Sequence, residues 1–221
     1  CDYPDITIRQ LLTHATDLDP FIPNRDQLTA KQLIEAMFHL NRRPQPAFLY
    51  SDVHFLLLGF LLEKFFDQDL DQILQEKVLD PWRMKETSFG PVETAVPTVR
   101  GVEAGIVHDP KARLLGKHAG SAGLFSTIND LKIFLEHYLH DDFAAQLSQN
   151  FSPLEDKPRS LGWNLEGDWL DHTGYTGTFI MWNRKKQEAV IFLSNRTYVK
   201  DDRQQWILNR NQVMDLVREE E

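Results

Sequence analysis

Two short stretches hold the residue types that could do chemistry. Tyr50-Ser51-Asp52 opens one apolar run, and His172-Thr173-Gly174-Tyr175-Thr176-Gly177-Thr178 precedes another that reads as a β-strand. Acyl transfer at a carbonyl needs a base, donors for the oxyanion and groups that orient the substrate. A tyrosine serves as base if nearby cations lower its pKa from about 10. A histidine of pKa ~6.5 is mostly neutral at pH 7, so His172 is more a hydrogen-bond donor than a fixed cation. Asp171 is its neighbour in sequence but points to the opposite face of a strand, which makes it a poor partner. The Thr173 hydroxyl could orient a carboxylate, and Gly174 lets a ligand approach the backbone. Asp52 accepts hydrogen bonds and donates none; it could hold a lysine or cap a helix starting near Val53. Plainer readings stay open. Tyr50 could be an interfacial aromatic at a helix start, and residues 172–178 a glycine-rich edge strand with turn residues.

No serine in the chain has a lysine three residues later, so the commonest pairing for a lysine-activated serine is absent. Ser121 is a near miss for a nucleophile elbow, but Ala119 occupies the first glycine position and no strand–turn–helix setting is evident. Ser121 and its flanking glycines read better as cleft lining. His108-Asp109 and His118 share one irregular segment, and His137 and His140 lie three apart on a helix. Neither matches a zinc spacing, so no metal is expected.

These residues must be positioned by elements that the pattern outlines. Thr7-Ile8-Arg9-Gln10 and Thr29-Ala30-Lys31-Gln32 have the form of capping boxes, with Ile6/Leu11 and Leu28/Leu33 as staples. The second helix should carry Leu33, Met37 and Leu40 inward and stop near residues 41–44. Residues 53–66 read as a buried helix. An amphipathic helix should run from Leu70 to Leu79, capped by Asp69 and closed before Pro81. Residues 90–125 show no sustained period and are long for a loop, which favours a functional wall. Thr127 should cap the next helix. Four short strands follow around residues 161–164, 169–172, 179–182 and 189–193, and Asp202 should cap a last helix with Trp206, Val213 and Val217 on one stripe. This order is α+β and lacks the alternation of a parallel sheet.

The 221 residues carry a net charge of −9 and no basic stripe, which argues against nucleic acid. The single cysteine, Cys1, excludes an internal disulfide and reads as a cut boundary more simply than as a lipidated start. The longest apolar run, from Phe55 to Leu62, is far short of the ~20 residues that span a bilayer.

Five stretches together resemble the class C β-lactamase-related serine hydrolases: D,D-peptidases, penicillin-binding proteins, β-lactamases and esterases. Residues 6–14, ITIRQLLTH, are similar to that family's ITIRxLLTHTSGL. Tyr50-Ser51-Asp52 with Leu57-Leu58-Gly59 resembles its YSNxxYxLLG. Residues 80–87 resemble PLGMxDT, residues 119–131 resemble AGSAGLFSTxxDL, and residues 172–178 resemble HTGxTGT. The resemblance implies an antiparallel sheet flanked by helices, plus a mostly helical lobe, with the cleft between them. It implies a single domain over 1–221, helical over 1–150 and sheet plus closing helix over 151–221. It also implies that the N-terminal strands and the helix bearing serine and lysine are missing. By resemblance Tyr50 is the base, His172 and Thr173 orient the substrate, and the Tyr175 N–H is an oxyanion donor. Asp52, Ser121 and Gly174 would touch substrate. Asp52 stands where asparagine is usual, which puts recognition of an amide carbonyl in doubt. His172 replaces a lysine. The implied activity is an acyl-enzyme hydrolase without metal or cofactor, acting on a D-amino-acid peptide, a lactam or a small ester, in the bacterial envelope or cytoplasm. This chain alone should be inactive. The alternative is a non-catalytic module that keeps the cleft and binds peptidoglycan-like or other small ligands. Lacking its first strands, the sheet should keep an open edge and self-associate.

Overall fold

The computed structural model describes residues 3–154 and 157–219. Cys1 lies outside them. The first part is helical. Helices α1 (Ile8–Leu12) and α2 (Ala30–Phe38) both start on complete capping boxes, with Thr7 and Thr29 accepting from Gln10 and Gln32. Leu33 and Met37 of α2 are fully buried, and the helix stops at Phe38, a turn earlier than the pattern suggests.

Helix α3 (Asp52–Phe66) starts where the apolar run begins, but its cap is Ser51, whose hydroxyl accepts from the Val53 N–H. Asp52 is therefore not the cap; it is the first helical residue and its carboxylate is used elsewhere. Only the first half of α3 is buried. Leu61, Leu62, Phe65 and Phe66 are exposed, because the apolar run outlasts the core that covers it. Asp69 stands at the N-cap of α4 (Leu70–Leu74), but its side chain caps no amide; Glu63 takes the Leu70 N–H instead, at 2.9 Å. The chain then turns through a wide helical turn, Gln75–Leu79, into α5 (Asp80–Trp82). Pro81 thus lies inside the helical stretch. It is tolerated there at the start of a new turn, where an N–H is not required.

The long irregular segment contains a helix that periodicity did not announce. Asp109 caps α6 (Pro110–Leu115), with Pro110 as its first residue. Two-residue strands β1 (Ser88–Phe89) and β2 (Leu124–Phe125) pair across this segment. Gly120 lies so close to α3 that a Cβ there would stand 2.2 Å from the Phe55 carbonyl oxygen. Thr127 caps α7 (Ile128–His140) as expected, and α8 (Asp142–Ala145) follows.

The remaining strands form an antiparallel meander in the order β3 (Asn164–Glu166), β4 (Trp169–Thr173), β5 (Phe179–Asn183), β6 (Glu188–Phe192). Alternation decides what each face meets. Leu170 and Trp182 pack with Leu135, Leu139 and Trp163 on the α7 side. Trp169, Phe179 and Met181 pack with Met214 of α9 (Arg203–Glu219) on the other. Asp202 does accept the Gln205 N–H at the start of α9 (3.3 Å). The inward residue of that helix is Met214, with Val217 beside it, whereas Val213 is exposed. Among the described residues no helix is long and apolar enough to cross a membrane.

Candidate active site

The head of α3 meets the C-terminal end of β4. The Tyr50 and His172 rings are 6.2 Å apart between centroids, tilted at 41°. His172 pairs with Ile180 in the sheet register and lies on the same side of β4 as Leu170, toward the helical lobe. Asp171 points the other way and is buried, accepting from Asn164 (2.8 Å) and from Arg218 of α9 (2.9 Å).

Behind Tyr50 lies a buried polar chain. The His14 ring is 4.6 Å from the Tyr50 ring and 5.1 Å from that of His54. The Ser51 N–H points at His14 Nδ1 (3.4 Å), which makes that nitrogen the acceptor. His54 Nδ1, 2.9 Å away, must then donate to it. His54 Nε2 accepts from the Thr16 hydroxyl (2.8 Å), whose oxygen takes the Leu18 N–H (3.2 Å). One neutral tautomer of each ring fits these contacts; it places the His14 proton on Nε2, which is buried without a partner among the described residues. His14 also has φ of 55°, the left-handed region, which costs ~1–2 kcal/mol for a residue with a Cβ. Burial drives both rings neutral: His54 is lowered to about 4 and His14 to about 3, His14 also by the proximity of His54.

The third neighbour is Arg159, which is 2% exposed. Its Nη1 donates to Asn164 Oδ1, while Nε and Nη2 are buried with no hydrogen-bond partner among the described residues. The guanidinium stacks over Phe48 at 5.4 Å. Burial lowers the pKa of His172, and Arg159 lowers it further. His172 is thus a neutral donor in this setting. Tyr50 is held above 10, first by desolvation and then by the Asp52 carboxylate, with Arg159 acting against them.

Asp52 reaches Lys111 of α6 at 2.9 Å, and Asp109 reaches the same ammonium at 3.3 Å. A cavity of ≈ 400 Å³ opens beside this triad, lined by Tyr50, Ser51, Asp52, Lys111 and the Pro20–Ile22 stretch. The 108–111 segment therefore walls the site: His108 stacks on Tyr175 at 5.2 Å, and Lys111 ties the same segment to α3.

Thr173 ends β4, and Gly174 opens a tight turn whose Gly177 N–H bonds the Gly174 carbonyl (3.2 Å). Tyr175 is the second residue of that turn, a position whose N–H the turn does not use. A Cβ on Gly174 would stand 2.5 Å from the Thr178 hydroxyl. The Tyr175 side chain points out, its hydroxyl on Asp201 (2.6 Å) and its carbonyl on Arg196 (2.6 Å). Ser121 has a buried hydroxyl without a partner among the described residues, next to the Gly120 contact on α3.

Sequence reasoning missed His54, Lys111 and Arg159. His54 was masked by the apolar run around it, and Lys111 by the irregular segment. Arg159, Lys111 and Asp109 meet Tyr50, Asp52 and His172 only through tertiary packing. One further cluster, Glu63, Asp69 and His118, brings ligand atoms within 4.8 Å of one another. Its donors are already used: Glu63 holds His118 Nδ1 (2.6 Å) and the Leu70 N–H, and Asp69 holds Lys117.

Antiparallel sheet, helical lobe and a tyrosine facing the histidine strand define the class. The chain belongs to the beta-lactamase family, whose model matches residues 1–214. A relative from Escherichia coli O157:H7, provisionally named a D-alanyl-D-alanine carboxypeptidase, is 26% identical over 249 residues, covering 87% of this chain and 57% of itself. The chain thus spans little more than half of that relative. The crystal structure of FmtA from Staphylococcus aureus superposes with a TM-score of 0.67 at 16% identity, over 95% of this chain and 63% of FmtA. An octameric penicillin-binding protein homologue from Pyrococcus abyssi gives 0.62 at 18% identity, over 86% and 52%. Both confirm the fold class that the resemblance implied.

The histidine pair sets a pH dependence of stability. Both folded pKa values lie below the unfolded value of 6.5, so the pair contributes fully above 6.5. As pH falls from 6.5 toward about 4 and about 3, the unfolded chain takes up protons that the native state refuses. Stability is then lost at up to ~1.4 kcal/mol per pH unit per histidine. Histidine NMR titration checks this: the two rings stay neutral at pH 5, and titration of both near 6.5 would contradict it.

Proposed function

We propose that this chain forms the substrate-orienting and proton-handling part of a serine acyl hydrolase that works through an acyl-enzyme. The observation that carries the reading is the approach of the Tyr50 ring to the His172 ring, 6.2 Å between centroids. The serine hydroxyl would come from a Ser-x-x-Lys segment, which these 221 residues do not contain. Its oxygen would attack the substrate carbonyl, with the serine proton passing to Tyr50. Tyr50 would then return that proton to the leaving group as the carbon–heteroatom bond breaks. Water would hydrolyse the resulting ester by the same exchange. His172 and Thr173 would orient the substrate, and the Tyr175 N–H would share the oxyanion. Asp52, Ser121 and Gly174 would line the groove.

The charge around Tyr50 supports a lysine supplied with the serine. Tyr50 lies above its ordinary pKa, with the Arg159 guanidinium acting against the rise. A lysine beside its hydroxyl would supply the missing field. The relatives' names point to D-alanyl-D-alanine peptides as the substrate class; lactams and small esters present the same carbonyl.

A second reading rests on the absence of any serine followed three residues later by lysine. In it the chain is a non-catalytic module that binds peptidoglycan-like ligands in the groove. We also propose that the outer edge of β6, which pairs only with β5 among the described residues, mediates self-association. The octameric homologue supports that reading.

Two measurements test these proposals. The 221-residue chain should turn over neither a chromogenic lactam, a nitrophenyl ester nor N-acetyl-D-alanyl-D-alanine; turnover by it contradicts the need for a supplied nucleophile. In the longest natural polypeptide containing these residues, Tyr50→Phe should cost ~100-fold or more in turnover. Binding without turnover there would favour the module, and an unaffected Tyr50→Phe variant would remove Tyr50 from the chemistry. Sedimentation should show the chain associated; a monomer at all concentrations contradicts the edge proposal.

A further inference from the structure

The triad of Asp52, Lys111 and Asp109 is unexplained by the roles given so far. Asp52 follows the motif tyrosine by two residues and lines the cavity beside it, but as a carboxylate it offers a substrate only acceptors. A peptide or lactam presents a carbonyl there, which needs a donor. Lys111 is the donor at hand. Its side chain is 8% exposed, and it is fixed from two directions, by Asp52 on α3 at 2.9 Å and by Asp109 at 3.3 Å. Asp109 is itself fixed, because its other oxygen caps α6 through the Ala112 N–H (2.8 Å). An ammonium has three protons, and the two carboxylates use two. Lys111 also lines the same cavity as Tyr50, Ser51 and Asp52.

We propose that Lys111, held by Asp52 and Asp109, is the specificity-determining donor that this cleft offers to a substrate's acyl or amide carbonyl. Asp52 acts as a positioning residue: it aims the lysine and makes no direct contact with the carbonyl. The departure at Asp52 and the presence of Lys111 are then one feature. A carboxylate alone would repel a carbonyl oxygen; a carboxylate carrying an ammonium presents it with a proton. Removing the lysine leaves two carboxylates facing each other beside Tyr50. Both already act to raise the Tyr50 pKa. Loss of Lys111 therefore has a second signature, in the titration of that tyrosine.

The inference rests on the groove being a substrate site, as proposed above, and the test separates the two. The 221-residue chain, labelled at the tyrosine ring carbons, is titrated with N-acetyl-D-alanyl-D-alanine, and the Tyr50 signals are followed. Wild type should shift on binding. Lys111→Met should weaken binding about tenfold or more, the size of a lost hydrogen bond to a charged group. It should also move the Tyr50 titration to higher pH. The double variant Asp52→Asn/Lys111→Met should recover most of the affinity, because the asparagine amide is again a donor. Asp52→Ala/Lys111→Met should not. These two double variants carry no unpaired Asp52 charge, so their comparison stands even if Lys111→Met fails to fold. Equal binding by the two, or by wild type and Lys111→Met, overturns the inference and leaves the groove intact. A wild type whose Tyr50 signals never shift overturns both.

Discussion

Everything in the site depends on holding the Tyr50 ring against the end of β4. That contact joins the helical lobe to the sheet, and three buried groups enforce it. His14 supports the tyrosine from behind, the His54–Thr16 chain fixes His14, and buried Arg159 lies over the Phe48 ring. The histidine pair persists because each ring can be neutral and still satisfy its neighbours. His14 Nε2 still lacks a partner among the described residues, a deficit of ~1–3 kcal/mol that the contacts around the ring offset. The left-handed backbone at His14 is tolerated for the same reason: the contacts around it over-determine the position.

The charge arrangement around Tyr50 is unbalanced. Lys111 joins Asp52 and Asp109, which both raise the Tyr50 pKa, while Arg159 acts to lower it. Burying a guanidinium with two unbonded nitrogens is costly unless an anion completes it. A phenolate, an oxyanion or a substrate carboxylate would each do so. The site is thus poised for negative charge near the tyrosine, but the Tyr50 phenol, raised above its ordinary pKa, does not supply it at neutral pH.

Much of this was legible in the sequence, and the limits are physical. The capping boxes at Thr7 and Thr29 and the Thr127 cap are local codes, read within four residues, and each formed as written. The meander was legible because strands around Leu170, Met181 and Val190 alternate over turn residues. Of the two readings open for Asp52, holding a lysine and capping a helix, only the first formed, because an adjacent serine also fits the cap. Ser51 took that place and freed Asp52 for Lys111. Helix α6 was hidden by its brevity, since six residues show less than two turns of period. The stripe of Trp206, Val213 and Val217 misses Met214 because a spacing of three or four leaves the phase of a weakly apolar helix undetermined. Arg159 carries no local signal at all; a buried arginine before a short strand looks like any surface arginine until the sheet closes over it.

The most direct test of the account is the distance between two rings. In the 221-residue chain, nuclear Overhauser contacts should link the Tyr50 ring protons to the His172 ring protons, alongside the closer contact from Tyr50 to His14. If the His14 contact is present and the His172 contact is absent, the head of α3 and the end of β4 do not share a groove, and the site described here does not exist.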